Sequence, residues 1–257
     1  MVALLYGQNT EECIVAVNQL NDQTVRIYKR IGGALEYRDA EFFPFFLLSQ
    51  PNLLDQFPKT RWLKELSGTN YFHSIAVFHR WSEMWEAVHH ILKRYNAASQ
   101  VHVDSYTDIP ALLLRNDPVR QYLQQSGCTL FKGMAFEDIR CMQIDVQLGR
   151  PLPKDRKKRL TRSLRILTVT TNDGQEFSLD ASREDEESIL KEFVDLVIRI
   201  DPDIIEGHEL FIRQLPFLVR RAEESGIELT LGRNGSLLRS VNFPSLDSGP
   251  VQYEIFG

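Results

Sequence analysis

The chain has 257 residues, of which 43% are hydrophobic and 25% are charged. This composition is typical of globular proteins and excludes a disordered or fibrous chain, while the length is sufficient for two ordinary domains. The formal charge of −5 excludes a protein coated in positive charge, although a nucleic-acid surface needs only a local basic face. No apolar run is long enough to cross a bilayer, and the first residues lack a signal segment, so we expect an intracellular, cytoplasmic protein of prokaryotic type without a membrane partner.

The first third of the chain predicts a small α+β domain. A hairpin is indicated by two apolar segments on either side of an Asn-Asp-Gln turn at 21–23. A helix is indicated by apolar side chains at helical spacing after Ser82, which is a suitable N-cap residue. The predicted elements are strands at 13–17, 24–29, 69–79 and 101–106, and a helix at 82–95 that has Trp85, Val88, His89 and Leu92 on one face.

Four phenylalanines surround Pro44, and they allow two interpretations. Phe42, Phe43, Phe45 and Phe46 could stack on unpaired bases, as aromatic residues do on single-strand binding surfaces. Alternatively they form a buried strand pair, which we favour because no basic residue lies among them and large aromatic side chains usually pack inward.

The second half of the chain predicts a sheet with flanking helices. Leu164–Thr171 and Gln175–Leu179 are separated by Asn172-Asp173-Gly174, a strong hairpin signal. The other predicted elements are a short helix ended by Gly127, a strand at 141–148, an amphipathic helix at 183–200 with Ile189, Phe193, Leu196 and Val197 inward, a strand at 203–206, and a last helix carrying Leu215, Phe217, Leu218 and Ala222. The order β-β-β-α-β-α is that of a ribonuclease-H-like fold. We therefore predict an α/β protein with an α+β domain at 1–130 and a ribonuclease-H-like domain with a mixed sheet at 131–257.

A dense basic segment lies between the first two strands of this second domain. The segment contains a single acid, Asp155. Its basic residues are Arg150, Lys154, Arg156, Lys157, Lys158, Arg159, Arg162 and Arg165. Such a cluster predicts contacts with a phosphate backbone. The alternative is a solvated loop, which is what charge runs usually are.

Two motifs resemble those of family B DNA polymerases. Gly207-His208-Glu209 followed by Leu215-Pro216-Phe217-Leu218 and Arg221-Ala222 is similar to their second exonuclease motif, and Ile144-Asp145-Val146-Gln147 occupies the place of the first. Leu231-Gly232-Arg233 follows the second motif as it does in the family. The resemblance implies a 3′–5′ exonuclease domain, in which carboxylates hold two divalent cations that hydrolyse a phosphodiester.

The chain departs from the family pattern at the carboxylates. Asp145 matches the first Asp, but Gln147 stands at the Glu position, and Arg213 and Gln214 stand where the family has Phe-Asp. Glu209 stands at the family's Asn, and the third motif would lie beyond residue 257. We therefore predict a degenerate site that hydrolyses nothing and in which Asp145 binds a metal weakly at best; the alternative is a single-metal nuclease that uses Asp145 and Glu209.

The resemblance implies the N-terminal and exonuclease-like portion of a family B DNA polymerase that acts in replication or repair. Its expected partners are DNA, as a single strand or a primer–template, and the remaining polymerase domains. We expect no cofactor in this chain and Mg²⁺ in the parent polymerase. The alternative from a different class is a stand-alone, non-catalytic nucleic-acid-binding module.

Overall fold

The computed structural model describes residues 7–151, 162–241 and 252–254. The chain divides into two compact units at Gly133–Met134. Both units combine sheets with helices, which confirms the predicted α/β class. No helix among the described residues is long and apolar enough to cross a membrane.

The first unit begins with a three-stranded antiparallel sheet. β1 and β2 form the predicted hairpin, with Asn21 opposite Thr24. β3 pairs with β2 along its whole length and was not predicted, because most of its side chains are exposed and show no alternation. The strands of this sheet are β1 (Ile14–Asn21), β2 (Thr24–Ile31) and β3 (Ala34–Glu41).

A second sheet in the first unit packs one face against a long helix. The strand order is β5-β6-β4-β7, and every pairing is antiparallel. Buried side chains of β4 and β6, including Phe46 and Ala76, pack with Met84 and Ile91 of the helix α1. These elements are β4 (Phe45–Leu48), β5 (Trp62–Glu65), β6 (Ser74–Val77), α1 (Trp81–Ala98) and β7 (Leu112–Leu113).

Three details of this region differ from the prediction. The segment 101–106 is not a strand among the described elements; it leads instead into a 3-10 turn at Tyr106–Asp108. Ser82 does not cap α1, which begins one residue earlier, and its hydroxyl donates to Asp22 instead. The buried residues of α1 are Met84, Ala87, Val88 and Ile91, of which only Val88 belongs to the predicted face.

The phenylalanine segment is largely buried, as we favoured. Phe42, Phe45 and Phe46 are at most 5% exposed, so they cannot stack on bases. Phe43 is half-buried and differs from the other three. The burial interpretation therefore holds for three of the four rings.

The segment at 7–14 forms hydrogen bonds with the end of a second helix and with the residues that follow it. α2 (Pro118–Ser126) ends at Gly127, whose φ of 77° is left-handed, as predicted for a helix stopped by glycine. The amide of Asn9 donates to the carbonyl of Ser126, and the amide of Cys13 donates to that of Lys132. The chain at 7–14 therefore runs beside the end of this unit.

The second unit is built on a four-stranded sheet of order β10-β9-β8-β11. β9 and β10 form the predicted hairpin across Asn172–Gly174, β8 is antiparallel to β9, and β11 is parallel to β8. The strands β12 and β13 pair with each other in a separate two-stranded sheet. The elements are β8 (Cys141–Pro151), β9 (Arg162–Thr171), β10 (Glu176–Asp180), α3 (Glu186–Ile200), β11 (Ile204–Glu206), α4 (Leu215–Ser225), β12 (Arg239–Val241) and β13 (Gln252–Glu254).

The core of the second unit lies between this sheet and the helices α3 and α4. The predicted inward residues of α3 are all buried, and Asp185 caps the helix by accepting a hydrogen bond from the amide of Ser188 at 2.8 Å. Leu215, Leu218 and Ala222 of α4 join the same core. Thus the order β-β-β-α-β-α predicted from the sequence is the order observed.

Candidate functional site

The candidate site lies where the parallel pairing between β8 and β11 ends. Their last paired residues are Gln143 and Glu206, so Asp145 follows just beyond the end of the pair. Strand alternation places Gln143, Asp145 and Gln147 on one exposed face of β8. The chain after β11 turns back over Asp145 and forms a pocket lined by Asp145, Val146, Leu148, His208, Arg213, Gln214 and Phe217.

Gln214 is a buried amide at this pocket. Its side chain is 6% exposed, and its Nε2 donates to the carbonyl of His208 at 2.6 Å. Its Oε1 has no hydrogen-bond partner in the described part of the chain. Because an unpaired buried carbonyl is energetically unfavourable, such a group is a candidate contact for a ligand.

Gly207 allows the connection after β11 to approach β8 closely. A Cβ atom at this position would lie 2.7 Å from the carbonyl oxygen of Ile144 and 3.2 Å from Oε1 of Gln214. The first of these distances is shorter than any ordinary contact and involves backbone. A side chain at residue 207 would therefore displace either β8 or the pocket.

A π-helical turn at Leu210–Gln214 sets the direction of the charged side chains. Glu209 precedes it with a left-handed φ of 51°, and its backbone carbonyl accepts hydrogen bonds from the amides of Ile212, Arg213 and Gln214. Nη1 of Arg213 donates to the Glu209 carboxylate at 2.7 Å. Arg213 lines the pocket, whereas Glu209 does not.

The structure brings together part of the predicted set of site residues. Asp145 and Gln214 share the pocket, while Gln147 is exposed on the same face of β8 but outside the lining. Among the predicted DNA contacts, Arg162 is exposed at the start of β9, and Arg150 lies in β8. Lys154, Arg156, Lys157, Lys158 and Arg159 lie outside the described residues.

Two arginines of this unit have structural roles that the sequence did not reveal. Arg233 donates to the carboxylates of Asp201 at 2.6 Å and Asp203 at 2.7 Å, and so holds the connection from α3 to β11. The side chain of Arg221 is only 12% exposed and forms a bidentate pair with Glu186 of α3. Its hydrogen bonds to Glu186 raise the pKa of the Arg221 guanidinium above its usual value.

The donor groups of the pocket do not fit a pair of divalent cations. Two such ions require several anionic oxygens close together. The lining supplies the carboxylate of Asp145, the neutral amide of Gln214 and the positive charge of Arg213. No group of three or more His, Cys, Asp or Glu side chains within residues 7–151, 162–241 and 252–254 is arranged to hold a metal ion.

Comparison with known proteins gives both sequence and structural matches. A DNA polymerase of Archaeoglobus fulgidus is 34% identical over 108 residues, which are 40% of this chain and 12% of that protein. A DNA polymerase of Pyrococcus glycovorans is 43% identical over 51 residues, which are 20% of this chain and 7% of that protein. The structure of the family B DNA polymerase from Pyrobaculum calidifontis matches 89% of this chain with a TM-score of 0.59 and 15% identity.

In sequence the chain is similar to parts of two DNA polymerases, and in fold it is similar to part of a family B DNA polymerase. The matched part is small, because it amounts to 34% of the solved family B polymerase and less of the two sequence relatives. No protein-family model matches the chain. The resemblance to DNA polymerases that the motifs indicated is thus confirmed as a similarity in sequence and in fold.

Sequence reasoning missed two contributors to the pocket of the second unit. His208 and Phe217 line the pocket with Asp145, but their motif positions assigned them no role. The ion pair between Glu209 and Arg213 was predictable from the sequence, since the two residues are four positions apart and of opposite charge. The left-handed residue and the π-helical turn that orient them have no comparable signal.

Proposed function

We propose that this chain is the N-terminal and exonuclease-like portion of a family B DNA polymerase, in which the second unit binds and positions DNA without hydrolysing it. The observation that carries the proposal is the composition of the pocket. The guanidinium of Arg213 and the amide of Gln214 lie in the pocket with Asp145. A reaction that uses two metal ions needs further carboxylates at these positions. The similarity to DNA polymerases supports a role in DNA replication or repair, with DNA and the other polymerase domains as partners inside the cell and Mg²⁺ as the ion of the parent polymerase.

The pocket has chemistry that suits a strand of DNA. The guanidinium of Arg213 can bind phosphate oxygens, and Phe217 supplies an apolar wall. Arg162, together with the basic segment around Lys157–Arg159, would contact the phosphate backbone. These contacts bind a strand but provide no route to activate water.

The single-metal nuclease that uses Asp145 and Glu209 has less support. The Glu209 carboxylate forms an ion pair with Arg213 and lies outside the pocket lining. To bind a metal ion, it would have to break this ion pair. The stand-alone binding module uses the same contacts as the proposal and makes the same biochemical predictions for this chain.

The proposal is tested by a nuclease assay on labelled single-stranded DNA with Mg²⁺ or Mn²⁺. We expect no more hydrolysis from the wild-type chain than from Asp145→Ala, because the carboxylate has no anionic partner in the pocket. Metal-dependent cleavage that disappears in Asp145→Ala would overturn the proposal. The variant Gln147→Glu with Gln214→Asp shows whether restored carboxylates bring back ion binding, measured by calorimetry with Mn²⁺.

DNA binding is tested by the salt dependence of affinity. We expect the affinity for single-stranded DNA to fall as salt rises, and to fall further when Lys157, Lys158 and Arg159 are replaced by Glu. The matched control replaces Lys191, an exposed lysine that already pairs with Glu187 on α3. Affinity that is independent of salt, or equal loss in the control, contradicts the phosphate contact.

A further inference from the structure

Aromatic and cationic side chains gather on one face of the second sheet of the first unit. We name this group, made of Phe43, Arg61, Trp62 and Lys64, the β5 surface. Trp62 lies directly opposite Val77, and Lys64 lies opposite Ile75, in the pairing of β5 with β6. Directly opposite residues point to the same side of a sheet.

The β5 surface lies on the side of the sheet that α1 does not cover. Val77 and Ile75 pack with Phe45 in a small cluster that Phe43 borders. The alternate residues Phe46 and Ala76 point to the other side and pack with α1. Trp62 remains 40% exposed, and Lys64 is exposed.

The arginine of this surface contacts two rings at once. The guanidinium carbon of Arg61 lies 4.0 Å from the ring centre of Phe43 and 4.2 Å from that of Trp62. The ammonium of Lys64 lies 5.5 Å from the ring centre of Trp62. Basic residues were absent from the phenylalanine segment in the sequence, but the fold supplies Lys64 from β5 and Arg61 from the position just before β5.

The two cations of the β5 surface are not neutralised. Neither Arg61 nor Lys64 forms an ion pair with any residue that the structure describes. A second arginine–aromatic contact in the same unit is different: Arg26 lies 4.1 Å from the ring centre of Tyr37, but it also forms a hydrogen bond with Asp39 at 2.7 Å. The β5 surface thus combines exposed aromatic area with uncompensated positive charge.

We propose that the β5 surface binds single-stranded DNA, with a base stacked on Trp62 and phosphates bound by Arg61 and Lys64. Unpaired bases expose π-faces that stack on aromatic side chains irrespective of sequence. The flexible stem of Lys64 lets its ammonium move from the ring to a phosphate and leave the indole for the base. Since a base in a duplex presents no free face, a single strand is the occupant that uses both features.

The proposal does not depend on the pocket of the second unit, and it is tested by fluorescence anisotropy with a labelled oligothymidine of about 12 nucleotides, long enough to span such a site. We expect Trp62→Ala to weaken binding about 10-fold and Trp62→Phe to restore most of the affinity. Lys64→Gln should lower the slope of log affinity against log salt by about 0.7. Tyr37→Ala is the matched control, because it removes an exposed ring beside a neutralised arginine and should leave affinity unchanged.

Location is tested by photocrosslinking an oligonucleotide that carries 5-iodouracil to the full chain. We expect the crosslinked peptide to contain Trp62, and we expect that crosslink to persist when Lys157, Lys158 and Arg159 are reversed to Glu. The proposal is overturned if Trp62→Ala, Trp62→Phe and Lys64→Gln all bind like Tyr37→Ala, or if crosslinks occur only elsewhere. Tighter binding of an oligouridine RNA than of the DNA would overturn the assignment of DNA as the occupant.

Discussion

Two buried glutamines offer a sharp test of how polar groups contribute to each unit. Gln121 in α2 is fully buried and accepts from the amide of Phe45 at 2.9 Å while donating to the carbonyl of Arg115. Gln214 is also buried, but it has one partner, the carbonyl of His208, and an unpaired Oε1. We compare the effect of replacing each by leucine, which has a similar volume and no polar atoms.

The two substitutions should differ by several kcal/mol. Gln121→Leu leaves the amide of Phe45 and the carbonyl of Arg115 without partners, and each unsatisfied group costs about 1–3 kcal/mol, so we expect a loss of roughly 2–5 kcal/mol. Gln214→Leu leaves the carbonyl of His208 without its donor, which costs about 1–3 kcal/mol, but it also removes a buried oxygen that had no partner, which offsets a similar amount. The change in its free energy of unfolding should therefore lie within about 1 kcal/mol of zero.

Each unit must be measured separately, since two compact units can unfold independently. Native-state hydrogen exchange provides this, with the amides of the β4–β6 ladder reporting on Gln121 and those of the β8–β9 ladder reporting on Gln214. A loss of more than 2 kcal/mol, by order of magnitude, for Gln214→Leu would show that its Oε1 is satisfied in the folded protein and would refute the reasoning.

Two further outcomes follow from the structure. Gly207→Ala should destabilise the second unit by about 1–3 kcal/mol, because the added Cβ meets the carbonyl of Ile144 at 2.7 Å; unchanged exchange of the β8 amides would contradict this. In the first unit, the hydrogen bond from Arg38 lowers the pKa of Glu11 below its usual value of 4.5. The Glu11 carboxylate therefore adds stability above about pH 4.5, and this is lost as pH falls through the lower folded pKa. Thermal unfolding of wild type and Glu11→Gln should differ at pH 7 and converge in acid; a difference that persists in acid would contradict the assignment.

Local signals determined much of the second unit, which is why its elements were predictable. The Asp173-Gly174 turn specifies a hairpin by its backbone requirements, and the apolar spacing of α3 specifies which side faces the sheet. Alternation along β8 likewise places Asp145 and Gln147 on one side. These features depend on short stretches of chain and not on distant neighbours.

The errors occurred where pairing with another segment decides the structure. β3 is exposed on most of its residues and is a strand because β2 pairs with it throughout. The segment at 101–106 has a strand-like sequence but pairs with none of the described strands, so it does not form a strand. For the same reason, the cation that contacts Phe43 could not be found in its own segment, because Arg61 lies just before β5.

The candidate site could be located from the sequence but not assembled. The motifs identified Asp145 and Gln214, which the pocket indeed brings together. The left-handed conformation of Glu209 and the π-helical turn after it decide that Arg213 enters the lining and Glu209 does not. Both depend on how the chain closes over β8, and residue types alone do not specify that path.

The adjacency of the two ends of the first unit has a mechanical consequence. The amides of Asn9 and Cys13 donate hydrogen bonds to the carbonyls of Ser126 and Lys132, so the first and last described segments of this unit lie side by side. Tension transmitted along the backbone would load these few bonds before it reached the strands behind them. The same adjacency means that a circular permutant, opened at an exposed turn and ligated across this junction, could retain all of its strand pairings.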